Sequence, residues 1–277
     1  MFVSRSALLL PCAAALGCSK EAPPAPRSVD DLAHAILADF DDDAALAADI
    51  EGLAPFLRGE GSSEEGAAGY ALTDLSSPEV DDVPHPDGTL GDALGVGVGG
   101  RSPFSIYDHA PLIVLPNQTW NDPATFAKFD REIESGDPDA FAAGEGDVLT
   151  RSDVEKSGAF GVSIPYVIDK DYRWVDTADG ARAIAARAWV PERSCSDNGK
   201  NCVELSFHVE VYYGAPGAGE RGLALSTARF IASWNDLRTE ADALVSDDYK
   251  VQLMVDGVND LFENTDAVLR GELSTSP

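Results

Sequence analysis

Apolar residues recur along this chain at two spacings, and each spacing predicts a type of element. Leu32, Ala35, Ile36 and Phe40 fall at i, i+3, i+4 and i+8, one stripe of an amphipathic helix that Ser28 can cap, with Asp30 and Asp31 in its first turn. Asp41-Asp42-Asp43 interrupts the stripe and can cap a second helix that buries Leu46, Ile50, Leu53 and Leu57; Pro55 leaves its last turn open. A helical hairpin over residues 28–58 follows. Near the other end, Val251, Met254, Val255, Val258, Leu261 and Phe262 repeat the helical spacing behind the caps Ser246, Asp247 and Asp248.

Between these helices the period shortens to two. Val203, Leu205, Phe207, Val209, Val211 and Tyr213 alternate with Glu204, Ser206, His208, Glu210 and Tyr212, a strand with one apolar and one polar face. Phe160, Val162, Ile164, Tyr166 and Ile168 alternate similarly, with a turn expected at Asp169-Lys170-Asp171 before Tyr172 to Val175. Ala183 to Val190 and Leu223 to Trp234 supply two more strands, and Ile106-Tyr107 and Leu112 to Leu115 read as short buried ones. Asp122-Pro123 opens an expected helix with Phe126, Phe129 and Ile133 on one face. Residues 59–69 read as loop, residues 76–103 as irregular chain rich in Pro, Gly and Asp, and Gly95 to Gly100 as a flexible turn or bulged strand. Strands in succession joined by short connections favour an antiparallel meander. The expected class is α+β: an N-terminal helical hairpin, an antiparallel β-meander sheet, and a C-terminal helix packed on the sheet, forming one domain over residues 28–273.

The first residues change the picture of where this domain works. Arg5 precedes an apolar run from Ala7 to Gly17, the form of an export signal and too short to cross a bilayer. Ala15-Leu16-Gly17-Cys18 resembles the lipobox of bacterial lipoproteins, in which a small residue precedes a Cys that is acylated and becomes the new N-terminus. The resemblance implies a signal peptide over residues 1–17, a lipidated Cys18 and attachment to the cell envelope. Ser19 after that Cys points to the outer membrane of a Gram-negative-type bacterium. Ordinary cleavage after Ala13-Ala14-Ala15 is the alternative and would leave the chain soluble in the periplasm or secreted. It would also leave three cysteines, one of them odd, whereas lipidation of Cys18 leaves an even pair. That pair, Cys195 and Cys202, is expected to form a disulfide pinching a hairpin end. Residues 18–27, rich in Pro and Ala, then read as a tether.

Charge narrows the partners. The chain has 20 Lys and Arg against 48 Asp and Glu, a net −28. A surface this acidic excludes nucleic acid, which needs a basic footprint, and disfavours direct docking on anionic lipid. Membrane contact is therefore expected through the acyl anchor alone, with the acid holding the domain off the surface.

Candidate chemistry is sparse. The chain has no G-x-S-x-G, H-E-x-x-H, P-loop or dinucleotide fingerprint, so no catalytic residue, cofactor or metal is assigned. The acidic runs Asp41-Asp42-Asp43, Asp81-Asp82 and Asp197 with Asn198 and Asn201 do not follow the calcium-loop pattern. Of the histidines His34, His85, His109 and His208, only His208 shares a strand face with carboxylates, Glu204 and Glu210. That face is expected to be solvated; if it instead lined a cavity, His208 and Glu210 could act as an acid–base pair in a hydrolase or isomerase. Tyr166, Tyr172, Trp174, Trp189, Phe207, Tyr213, Phe230 and Trp234 gather on the expected strands, chiefly as core. A curved sheet crossed by a long C-terminal helix resembles START-like helix-grip proteins in layout, which implies an apolar pocket beneath the helix. The leading expectation is thus a non-catalytic, membrane-tethered binding or interaction domain. A carrier of a small apolar ligand or lipid is the alternative.

Overall fold

The computed structural model describes residues 27–157, 163–214, 226–240 and 246–275. Cys18, Phe160, Val162 and Leu223 lie outside these residues, as does nearly all of the tether.

Helices α1 (Arg27–Ala38) and α2 (Asp43–Arg58) form the expected hairpin. Asp42 is the cap between them, its carboxylate accepting from the amides of Ala44 and Ala45 at 3.0 and 3.1 Å. α2 runs through Pro55 to Arg58. The segment expected to be loop instead holds a 3₁₀ turn and the short α3 (Glu64–Ala68).

The described strands are β1 (Tyr70–Leu72), β2 (Leu94–Ser102), β3 (Phe126–Gly136), β4 (Asp147–Ser157), β5 (Ser163–Asp176), β6 (Arg182–Trp189), β7 (Ser194–Cys195), β8 (Cys202–Gly214) and β9 (Thr227–Arg238). They make one antiparallel sheet in the order β1-β2-β9-β8-β6-β5-β4-β3, with β7 beside β8. The meander is therefore real from β3 to β9, but β2 crosses over to join the last strand. Cys195 and Cys202 face each other in the β7–β8 pair, bonded as a disulfide with Cα atoms 4.0 Å apart.

Four local expectations give way, each for an identifiable reason. Gly95 to Gly100 is neither turn nor bulge: β2 pairs with β9 without a register shift from Leu94 to Ser102. Its glycines answer to close packing, since a Cβ on Gly99 would lie 2.2 Å from the Gly61 carbonyl oxygen and one on Gly100 would lie 2.7 Å from the Phe262 ring. Residues 106–113 form helix α4 (Ile106–Ile113), not strands; Ser105 and Asp108 build a capping box, and Ile106, Ala110 and Ile113 are its buried stripe. The expected helix after Pro123 is β3. There Phe129 and Arg131 are buried while Asp130 and Glu132 are exposed, and a buried arginine conceals the alternation. Asp169-Lys170-Asp171 is no turn but the middle of β5, where each charge is matched on a neighbouring element: Asp169 by Arg151, Lys170 by Glu210, Asp171 by Arg187. A further short helix, α5 (Pro138–Ala142), links β3 to β4. The long helix α6 (Asp247–Leu269) closes the chain, capped by Ser246 as expected.

Each face of the sheet is covered differently. The α1–α2 hairpin lies on one face, where Ile36, Leu37, Phe40, Leu46, Ile50, Leu53 and Leu57 pack with Phe207, Val209, Val211, Phe230, Ala232 and Trp234 in a continuous core. The other face carries α4 at one end, over Tyr172, Ile184, Ala186 and Tyr212. α6 lies at the other end, with Val255, Val258 and Phe262 over Val96, Val98 and Ile231. Between these two apolar clusters runs a polar seam.

Candidate functional site

Strand alternation builds the seam. The odd-numbered side chains of β8 enter the hairpin core, so Ser206, His208, Glu210 and Tyr212 must rise from the opposite face. Register then places Ala188 and Ser233 beside His208, and Ala186 and Ile231 beside Glu210. On the next strands out, the same face carries Ile164, Tyr166, Ile168 and Lys170 of β5, then Thr150, Ser152, Val154 and Lys156 of β4. The floor is thus mostly small: Ala186, Ala188, Ser206, Ser233, Ser152 and Thr150.

This face was expected to be solvated. It is not: Ser206, Glu210, Tyr212 and Ser233 are buried and His208 is half-buried. His208 shares hydrogen bonds with Ser233 Oγ at 2.8 Å through Nδ1 and with Ser206 Oγ at 2.9 Å through Nε2. The Ser206 hydroxyl donates its one proton to Asn235 Oδ1 at 2.6 Å. His208 therefore donates from Nε2 to Ser206 and accepts from Ser233 at Nδ1, a neutral imidazole. Desolvation, reinforced by the positive charge of Lys170, pushes its pKa down to about 4, which keeps it neutral at physiological pH.

Glu210 turns to other partners. Its carboxylate accepts from Lys170 Nζ and, at 3.4 Å, from the Tyr212 hydroxyl. Burial opposes the charge on Lys170, but the attraction of Glu210 outweighs it and leaves the ammonium above its ordinary pKa. Lys170 also lies 4.9 Å from the centre of the Tyr172 ring, and Arg131 sits 5.6 Å from that ring while donating to the Ile113 carbonyl. No hydrogen bond joins His208 to Glu210 among the described residues. Glu204, the third member of the expected trio, stands apart at a bulge near the start of β8, paired with Arg193 and, at 3.3 Å, with Arg238. The three residues do not form one site.

At the α6 end, Arg229 grips Asp266 through two contacts of 2.9 and 3.2 Å, and Ser102 donates to the same carboxylate at 2.7 Å. This buried ion pair fastens the helix to the sheet. At the α4 end His109 is buried, its Nδ1 donating to the Ser105 carbonyl at 2.8 Å while Nε2 has no partner; desolvation pushes its pKa to about 4.

The other candidates resolve as structure. Asp41 and Asp82 both pair with the buried Arg187, and Asp43 pairs with Arg173 at 2.5 Å, so one acidic run anchors the hairpin to the sheet and a second anchors the segment between β1 and β2. His34 lies in an open groove of about 370 Å³ on α1, with Nδ1 2.9 Å from Glu79 and Nε2 3.1 Å from Thr73. His85 hydrogen-bonds the Pro86 carbonyl and packs edge-on to Phe207. Among the described residues no three His, Cys, Asp or Glu side chains stand together as a metal site, and no helix is long and apolar enough to cross a membrane.

Tyr166 is among the strand aromatics that the sequence pattern singles out, whereas Lys170 and Lys156 are not. Lys170 sat in an expected turn, and β4 offers only the faint alternation of Val148, Thr150, Ser152 and Val154 against charged neighbours. Tyr166 and Ile168 are half-buried, and so are Met254 and Leu261 on α6, whereas Lys156 is exposed. Yet crowding by surrounding atoms raises the Tyr166 pKa and lowers that of Lys156.

No protein-family model matches this chain, and no curated protein matches it. Among solved structures, a STAR-related lipid transfer protein fragment from Xanthomonas axonopodis is similar at 10% identity, covering 73% of this chain and 92% of that one, with a TM-score of 0.42. Ara h 8.0201 is similar at 13% identity over 65% of this chain and 99% of its own, with a TM-score of 0.34. A conserved protein from Geobacillus kaustophilus is similar at 9% identity over 65% and 97%, with a TM-score of 0.36. These likenesses are distant, and the functional reading rests on the residues of this chain.

Proposed function

We propose that this protein is a non-catalytic carrier that holds a small apolar molecule in a recess between the sheet and α6. The observation that supports this reading is the seam just described: His208, Tyr166 and Ile168 are half-buried beside a row of Ala and Ser side chains, between two apolar clusters that do not merge. A ligand site with mostly apolar walls and a few placed polar groups has this composition. The polar groups are already satisfied internally or neutral, which suits holding a molecule and gives no proton-transfer pair. The test is a Nile red titration of the purified chain, with organic extraction and mass spectrometry for a co-purified ligand. Wild type should enhance the dye's fluorescence, and Ala188→Phe, which fills the floor beside His208, should weaken binding at least tenfold with an unchanged circular dichroism spectrum. Absence of any affinity for the dye or for alkyl chains would overturn the reading.

The same proposal takes Cys18 as a lipidated N-terminus that tethers the carrier to the outer membrane by residues 18–27. Two or more acyl chains give stable attachment. Removing residues 1–17 takes away only one charged side chain, Arg5, and moves the net charge from −28 to −29, so anionic headgroups repel the domain itself. Mass spectrometry of the mature N-terminus decides the point: an acylated Cys18 supports the tether, and an unmodified terminus at Leu16 sinks it.

A further inference from the structure

The Cys195–Cys202 disulfide does not sit in neutral surroundings. The two cysteines face each other across the β7–β8 pair, Cys202 fully buried and Cys195 half-buried. Two guanidiniums converge on the buried sulfur: Arg193 Nη2 donates to Cys202 Sγ at 3.3 Å, and Arg238 Nη2 donates to it at 3.2 Å. They come from different places in the fold, Arg193 from the residue before β7 and Arg238 from the last residue of β9. Glu204 holds both there, its carboxylate accepting from Arg193 Nη2 at 2.9 Å and lying 3.3 Å from Arg238 Nη1. One carboxylate against two guanidiniums leaves a net positive charge beside this sulfur, in a chain of net −28. A disulfide carries no charge to match it, whereas a thiolate would.

We propose that this disulfide is a site of thiol–disulfide exchange, with Cys195 as the sulfur attacked and Cys202 as the leaving thiolate. The co-reactant is a dithiol reductant with one of its thiols ionised. That thiolate attacks Cys195 Sγ, the half-buried sulfur. A bond forms between the two, the Cys195–Cys202 bond breaks, and its electron pair goes to Cys202 Sγ. Arg193 and Arg238 supply the counter-charge to the new thiolate, and a thiolate leaves faster as it is better stabilised. The reductant's second thiol then gives up its proton and closes on its first sulfur, expelling Cys195, which takes up that proton. The reductant ends as a disulfide, and the protein as the Cys195 thiol and the Cys202 thiolate. Exchange acts on a clamp between three strands, because β7 lies on β8 while the Ser194 hydroxyl, next to Cys195, donates to the Pro165 carbonyl of β5.

The test has two arms, both on the mature chain at pH 7.5. A brief pulse of 2-mercaptoethanol, quenched with acid and followed by peptide mass mapping, should place the mixed disulfide on Cys195 and a free thiol on Cys202. Reduction by dithiothreitol is then timed at high ionic strength, which screens the net charge of the molecule. It should slow about tenfold when Arg193→Gln and Arg238→Gln are combined, and stay within about twofold of wild type when Arg193→Lys and Arg238→Lys are combined. If the arginines only brace the turn, their loss exposes the sulfurs and speeds reduction instead. A mixed disulfide on Cys202, none at all, or a glutamine variant reduced as fast as wild type or faster overturns the assignment. The first arm needs no substitution, so it decides even where the glutamine variant does not fold.

Discussion

The two faces of this sheet are built from the same strands and do opposite things. On the hairpin face, two helices place long aliphatic and aromatic side chains against the sheet in one continuous core, and the buried Arg187 beside Phe40 is matched by Asp41 and Asp82. On the α6 face, two small apolar clusters stand apart, with Lys170, Glu210, His208 and small floor residues between them. Continuous apolar packing maximises stability. A divided core with satisfied polar groups gives some of that up, and the carrier proposal assigns the guest to this side of the sheet and stability to the other.

Four substitutions or conditions test this division, in falling order of effect. Trp234→Ala removes a fully buried indole that donates to the Thr73 carbonyl at 2.9 Å in the hairpin core. It should cost about 3–5 kcal/mol in urea unfolding, while the folded fraction binds Nile red as wild type does. Loss of dye binding with intact stability would reverse the roles of the faces. In the seam, Lys170→Met strands the buried Glu210 carboxylate and should cost on the order of 3 kcal/mol, whereas Lys170→Met with Glu210→Leu should return to within about 1 kcal/mol of wild type. A double variant no better than the single would show that Glu210 has a role beyond this pair.

The third test is acid. His208 titrates near 6.5 when unfolded and at about 4 when folded, so the unfolded chain binds the extra proton between those values. Its contribution is full above pH 6.5 and is lost as pH falls towards 4, roughly 3 kcal/mol at most. His109, also at about 4, adds in the same window. Asp171 works the other way: desolvation, partly countered by Arg187, raises it from 3.8 to about 6, so its contribution is present at low pH and lost as pH rises through that range. The net expectation is a urea midpoint that falls between pH 6.5 and 4, and a shallower fall in His208→Gln. An unchanged slope in the variant would mean that His208 is not desolvated. Last, Asp42→Ala removes the cap of α2 at the border of the hairpin face and should cost about 1 kcal/mol, read as a small shift in thermal midpoint with no change in ligand binding.

Local pattern made part of this legible. The α1–α2 hairpin, α6 and β8 are strongly periodic, and their burial follows the spacing of Leu46, Ile50, Leu53 and Leu57 or of the odd positions of β8. Periodicity misled where polar side chains were buried. Arg131 in β3 and Lys170 in β5 interrupt an alternation whose inner positions are matched by partners on strands far away in sequence. β2 misled for the converse reason, because its glycines are small to admit Phe262 and the Gly61 backbone, which no local signal announces.

By itself, then, the sequence determined the fold class, the two covering layers, the paired cysteines and the acidic charge of the chain, because spacing, caps and composition act between residues close in the chain or act through sums. Only the tertiary structure decided which face was closed. It separated His208 from Glu210 and Glu204 and gave Glu210 to Lys170. Those outcomes depend on strand order and register, and register brings together residues whose affinity for each other is invisible until the strands are side by side.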